Sequence, residues 1–173
     1  MKKYLALILF TLISLPAVAG IPIQQWSLSN GSKIYLVEAK TIPMLDIQVD
    51  WFAGSVGDPI NKLGLASMTA SLIDKGSKEG QRVILESEIA DHLASLGASL
   101  SFSAGAEKAS MRLRTLSDEK RRNELIKLAA DILKEPIFDQ KIVMREKARV
   151  ISAIKESNLK PEFILSKEFL LQN

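Results

Sequence analysis

The sequence predicts an α+β fold, a largely antiparallel sheet with helices packed on one face. Two observations carry this expectation. Stretches that alternate apolar and polar residues open the chain and recur once in its middle, and each is followed by stretches with apolar residues every third or fourth position. Glycines and prolines separate them, at Asn30-Gly31, Gly76, Gly97, Pro136 and Pro161. Strands, helix, helix, hairpin, helix, helix is the order of a sheet covered by helices rather than of a parallel βαβ array.

The first nineteen residues stand apart. Met1-Lys2-Lys3 is a basic start, Leu5 to Leu15 is an apolar run, Pro16 breaks it, and Ala17-Val18-Ala19 supplies small residues for cleavage. A run this short does not reach the roughly 20 apolar residues that span a bilayer. The expectation is a signal peptide, 1–19, cut before Gly20, with a periplasmic protein after it and no membrane span once the signal is removed. Residues 20–173 then have the size of one domain.

Each element follows from local pattern. "IQQWSLSNGSKIYLVEAK" alternates on both sides of Asn30-Gly31, a hairpin signal. Met44 to Ser55 alternates through Leu45, Ile47, Val49 and Trp51 and breaks at Gly54 and Gly57, giving a third strand. Leu65, Met68, Leu72 and Ile73 mark a helix over 63–75 that stops at Gly76. A second helix over about 83–96 presents Ile84, Ile89, Leu93 and Leu96, with Gly97 as its C-terminal cap. Strands 98–104 and 109–116 turn around Gly105. Asp118 caps a third helix whose line is Leu125, Leu128, Ala129 and Ile132, and Pro136 ends it. A fourth, opening at Phe138-Asp139 and running to about Asn158, turns Ile142, Val143, Val150, Ile151 and Ile154 inward. Beyond Pro161, "EFILSKEFLLQN" reads as a further amphipathic helix.

Charge and composition exclude several function classes. The formal net charge of +3 falls to +1 without Lys2 and Lys3, and the basic residues are interspersed with acidic ones, so nothing attracts nucleic acid. There is no cysteine, hence no disulfide and no thiolate metal site, and a single histidine, His92.

Three passages carry a resemblance: "WFAGSVGDP" with "GLASMTASLIDKGS", then "LASLGASLSFSAGAEKASMRL", then "ILKEPIFDQKIVMREKARVISAIKE". Together they resemble the N-terminal domain of the pitrilysin (insulinase) type zinc peptidases, the group of insulin-degrading enzyme and the mitochondrial processing peptidases. The resemblance implies the LuxS/mitochondrial processing peptidase-like metallohydrolase fold. In that family the first passage carries an inverted zinc motif, H-x-x-E-H. Its two histidines lie one turn apart on one helix face, its glutamate polarises the bound water, and a later helix supplies a second glutamate as third ligand. Laid on this chain, the histidine positions are Ser67 and Ser71, the catalytic glutamate position is Ala70, and the later glutamate, two turns after Glu146, is Ala153. Hydroxyls and methyls do not replace imidazole and carboxylate. Zinc belongs to the family's chemistry; its ligands are absent from these positions, and no catalytic, cofactor-binding or metal residue is expected. Glu146 matches a family glutamate that supports the metal from outside its ligand set.

Ser67 or Ser71 with Lys75 as base would need an oxyanion hole and an orienting third group, for which the sequence has no signature. Asp91 and His92 are neighbours on a helix and point about 100° apart, so they form no dyad. Glu146 and Glu156, among Lys141, Arg145, Lys147 and Lys155, read as an ion-paired, solvated helix face.

Catalytic and non-catalytic copies of this domain associate in the family, and its subunits carry two such domains in tandem. The resemblance therefore implies an exported, catalytically inactive domain, truncated before a second homologous domain. It would act as the non-catalytic partner or lobe of a periplasmic zinc peptidase that handles peptides, paired with a catalytic pitrilysin-type subunit or second domain. An active zinc peptidase with an unrecognised site is the alternative that the single histidine opposes; a stand-alone periplasmic binding or assembly module is the other. An apolar surface along Phe163, Leu165, Phe169 and Leu170 is expected if the chain docks onto a missing half.

Overall fold

The computed structural model describes residues 20–171, so the expected signal segment lies outside the described residues. The elements are β1 (Ile23–Ser27), β2 (Lys33–Val37), β3 (Met44–Trp51), α1 (Leu65–Leu72), β4 (Gly76–Glu79), β5 (Arg82–Leu85), α2 (Glu86–Leu96), β6 (Ser99–Ala104), β7 (Ala109–Leu116), α3 (Glu119–Lys134), α4 (Gln140–Ser157) and α5 (Pro161–Leu171). The fold is α+β with antiparallel pairing throughout, as expected. The chain divides into two compact units, one ending at Ile42 and one beginning at Pro43.

The first unit is the β1–β2 hairpin, paired from Ile23↔Val37 to Ser27↔Lys33. Gly31 takes the positive φ of +85° that the turn requires, and the Asn30 side chain accepts the Ser32 N–H at 3.0 Å.

In the second unit β3, β7 and β6 form one sheet with β7 in the centre. The period-2 pattern sorts its faces. Leu100, Met111 and Leu113 point inward and are buried against Ile89 and Leu96 of α2 and against Leu125, Leu128, Ala129 and Ile132 of α3. Each of the leucine, isoleucine and methionine side chains among them contributes about 1.5–3 kcal/mol by leaving water. The other face is polar, with Ser99, Ser101, Arg112 and Arg114 beside Asp46 and Gln48. Asp50 accepts from Lys108 at 2.8 Å and from Ser110 at 2.6 Å.

The caps are where the sequence puts them. Gly97 is left-handed at φ +59°, Asp118 accepts the Arg121 N–H, and Asp139 accepts those of Lys141 and Ile142.

Four expectations are corrected. Helix α1 is shorter than 63–75, and residues 76–85, read as a helix stop and helix start, form the hairpin β4–β5 closed by Gly80-Gln81, with Gly80 at φ +63°. Strand β4 is flanked on its other side by residues 135–137 (Lys78 N–H to Glu135 O 2.9 Å, Ile137 N–H to Gly76 O 2.9 Å), which buries Ser77. Ile151 and Ile154 of α4 are exposed, because only the first half of that helix meets other elements closely. Helix α5 is not amphipathic: apolar residues are mixed around its axis with Glu162, Ser166 and Glu168, and Phe163, Ile164 and Leu165 are exposed in succession. Among the described residues no helix is long and apolar enough to cross a membrane.

Candidate functional site

Helix α1 is positioned from outside itself. After β3 the chain passes so close to the β6–β7 turn that a Cβ on Gly54 would lie 2.1 Å from the Ala106 carbonyl oxygen. Ser55 and Val56 N–H groups then bond to the carbonyls of Gly105 and Ala106, both at 2.9 Å. This fixes Asp58, whose carboxylate accepts the N–H groups of Gly64 (2.9 Å) and Ala66 (3.0 Å), free donors at the start of α1. Gly64 enters the helix at φ +90°. A carboxylate at this end also complements the helix dipole.

Helix α1 packs on β6 and on α4. A cleft of about 360 Å³ lies along that junction, lined by Ala70, Ser71, Asp74 and Lys75 from the α1 side and by Glu146 and Arg149 of α4, with Ser101 and Phe102 of β6. Of the motif positions, Ala70 and Ser71 line it; Ser67 and Ala153 are exposed and are not part of its wall. The Ser71 hydroxyl donates to the Met68 carbonyl at 2.8 Å, the habit of a helical serine. Ala70 and Phe102 also border a neighbouring apolar hollow of about 340 Å³ with Trp51, Leu65 and Ile73. At Ala70, the position the resemblance assigns to the general base, the structure has a methyl group bordering this hollow.

Glu146 is not on a solvated face. It is buried, at 6% exposure, and both its oxygens are taken: Oε2 by Arg149 Nε at 2.8 Å, Oε1 by Arg145 Nε at 3.1 Å. The hydrogen bond from Arg149, helped by Arg145, holds its carboxyl below the ordinary carboxylate range although burial opposes this. The ion pairing expected of it holds; the solvation does not. The pairs continue from Arg145 to Glu86 at 2.9 Å, from Glu86 to Lys75 at 3.3 Å and from Lys75 to Asp74 at 3.4 Å. Burial works against the Glu86 charge, but Arg145 and Lys75 outweigh it and its carboxyl titrates below the ordinary range. Three acids and three bases thus tie the end of α1, the start of α2 and the first half of α4. The sequence signal for this chain was Arg145, Glu146 and Arg149 within one helical turn.

The residues present do not fit zinc. The positions the resemblance assigns to zinc ligands hold two serines and Ala153, Glu146 is committed to two guanidinium groups, and among the described residues no three His, Asp or Glu side chains are grouped to hold a metal. Nor does the cleft assemble a serine nucleophile, because Ser71 donates to its own helix and Lys75 is held between Asp74 and Glu86. His92 is exposed, 3.9 Å from Glu124, away from this cleft.

Among solved structures the chain is similar to a peptidase M16 inactive domain from Pseudomonas fluorescens, with 28% sequence identity and a TM-score of 0.76 over 86% of this chain. The chain spans 35% of that structure's length. No family model and no curated protein matches it. The resemblance to an inactive pitrilysin-type domain read from the three passages holds.

Proposed function

We propose that this chain, an inactive pitrilysin-type domain by likeness, is an exported protein that works by association, as the non-catalytic partner or lobe of a periplasmic zinc peptidase acting on peptides. One observation carries the reading: the helix pair that would build the metal site keeps its packing while its ligand positions hold Ser67, Ala70, Ser71 and Ala153, and ion pairs tie the helices together. A fold retained without its chemistry is retained for what it binds. Strand β6 supports a peptide-facing role, since it is an edge of its sheet and borders the cleft with Ser101 and Phe102. The apolar surface of α5 supports a docked partner.

The test is affinity recovery of the tagged mature chain from periplasmic extract, with a zinc assay and peptide digestion on whatever accompanies it. The reading expects a zinc-containing relative with an intact inverted motif, whose activity falls when this chain is depleted. Recovery of the chain alone, metal-free and inactive, would remove the partnership.

A further inference from the structure

A second cleft, of about 470 Å³, opens between the β4–β5 hairpin and helices α2 and α3, apart from the cleft beside α1. We infer that it binds aliphatic ammonium groups, the chemistry shared by free polyamines and by lysine side chains. Ile84 and Leu128 supply an apolar floor for a methylene chain, and the rim is acidic. Glu79 and Asp131 share Lys127, at 3.4 and 2.7 Å, and Glu88 pairs with Arg82. Asp91 and Glu124 are left without a lysine or arginine partner among the described residues; Glu124 meets only the His92 ring, at 3.9 Å.

Ser77 is the second and independent observation. It is 98% buried, being 2% exposed, between β5 and the segment at Pro136. Its cross-strand partner is Ile84, so both side chains lie on the hairpin face that walls the cleft, as do Glu79 and Arg82, the other such pair. Among the described residues its hydroxyl makes no hydrogen bond, and unlike the hydroxyl of Thr115 it is not fully enclosed, consistent with its place in the wall of the cleft. A hydroxyl acceptor, two carboxylates without a lysine or arginine partner and an apolar floor match an ammonium donor on a hydrocarbon stem. A bare divalent cation finds no grouped ligands here.

The test is amide-resolved NMR titration of the folded chain with cadaverine, with spermidine and with a short lysine-containing peptide, using magnesium chloride at matched ionic strength as the control. Saturable shifts confined to Ser77, Ile84, Asp91 and Leu128 are expected. Binding should weaken at least tenfold in the Asp91→Asn/Glu124→Gln double variant and several-fold in Ser77→Ala. Saturation by the free amines identifies the ligand as a polyamine, and saturation by the peptide alone identifies a lysine side chain. Shifts that do not saturate, that magnesium reproduces, or that survive the double variant would overturn the inference. Because magnesium and the variants report on this cleft directly, the outcome is independent of whether a peptidase partner exists.

Discussion

Arg149 and Glu146, one turn apart on α4, meet at 2.8 Å in the cleft that Ser71 also lines. A carboxylate in that place needs a positive neighbour to stay charged while buried, and here guanidinium groups supply it.

Replacing Glu146 by Gln should therefore destabilise the fold by about 1 kcal/mol, less than is usual for hydrogen bonds to charged groups because both arginines are largely exposed. The pH dependence has a definite sign. The folded-state pKa of Glu146 lies below its ordinary value of 4.5, so the pair's stabilisation is present above that value and is lost as pH falls through the folded pKa. Urea unfolding of wild type and variant should differ at pH 7 and converge under acid conditions. A gap that does not change with pH would show that the charge is not its cause.

Gly54→Ala should cost about 1–3 kcal/mol, since the added methyl must displace the backbone at Ala106 rather than a flexible side chain. Gly57→Ala is the control: nothing lies within 4 Å of its Cβ position, so denaturation midpoints should move little or slightly upward.

Asp58→Ala removes both bonds to the start of α1 and should destabilise by about 1 kcal/mol, as for other N-terminal caps. Hydrogen exchange locates the loss: amides of Gly64 and Ala66 should exchange faster while those of α3 keep their protection. Uniform acceleration would mean the cap acts on the whole domain.

Thr115 is 2% exposed on β7 and its hydroxyl is the one buried side-chain oxygen or nitrogen among the described residues with no hydrogen bond. Thr115→Val keeps the shape and removes the unpaired group, so stability should rise by about 1 kcal/mol, read as a higher urea midpoint. A lower midpoint would reveal a partner for the hydroxyl.

Ile164→Lys with Leu165→Glu in α5 should leave the melting temperature within about 2 °C, because exposed substitutions typically change stability by less than 0.5 kcal/mol. Binding of a hydrophobic dye should fall in the same variant.

Much of this was legible locally. The Asn30-Gly31 hairpin, the 98–116 hairpin, Gly97 and the buried line of α3 each follow from a pattern contained within a few residues. Strands β4 and β5 escaped because four residues are too few to declare a period, and Gly76 has the composition of a helix stop; the loop Gly80-Gln81, opening on glycine, was the available signal. The burial of Glu146 could not be read from α4, whose pattern places it among charges. The pairs around it reach Glu86, some sixty residues earlier, which bonds to Arg145. The motif positions were readable as residues lost, whereas the ion pairs tying the helices together depend on contacts between distant segments.

The clamp on α1 by Asp58 and by the loop at Gly54 bears on how such a domain changes over generations. Because the helix is held at its N-terminal side by the Asp58 carboxylate, and the loop before it by backbone bonds at Ser55 and Val56, none of the three motif positions on α1 supplies that attachment. Exposed Ser67 can therefore take a larger side chain without touching that attachment, whereas Ala70 and Ser71, half-buried at the junction with β6 and α4, carry the steric cost of any return to histidine and glutamate.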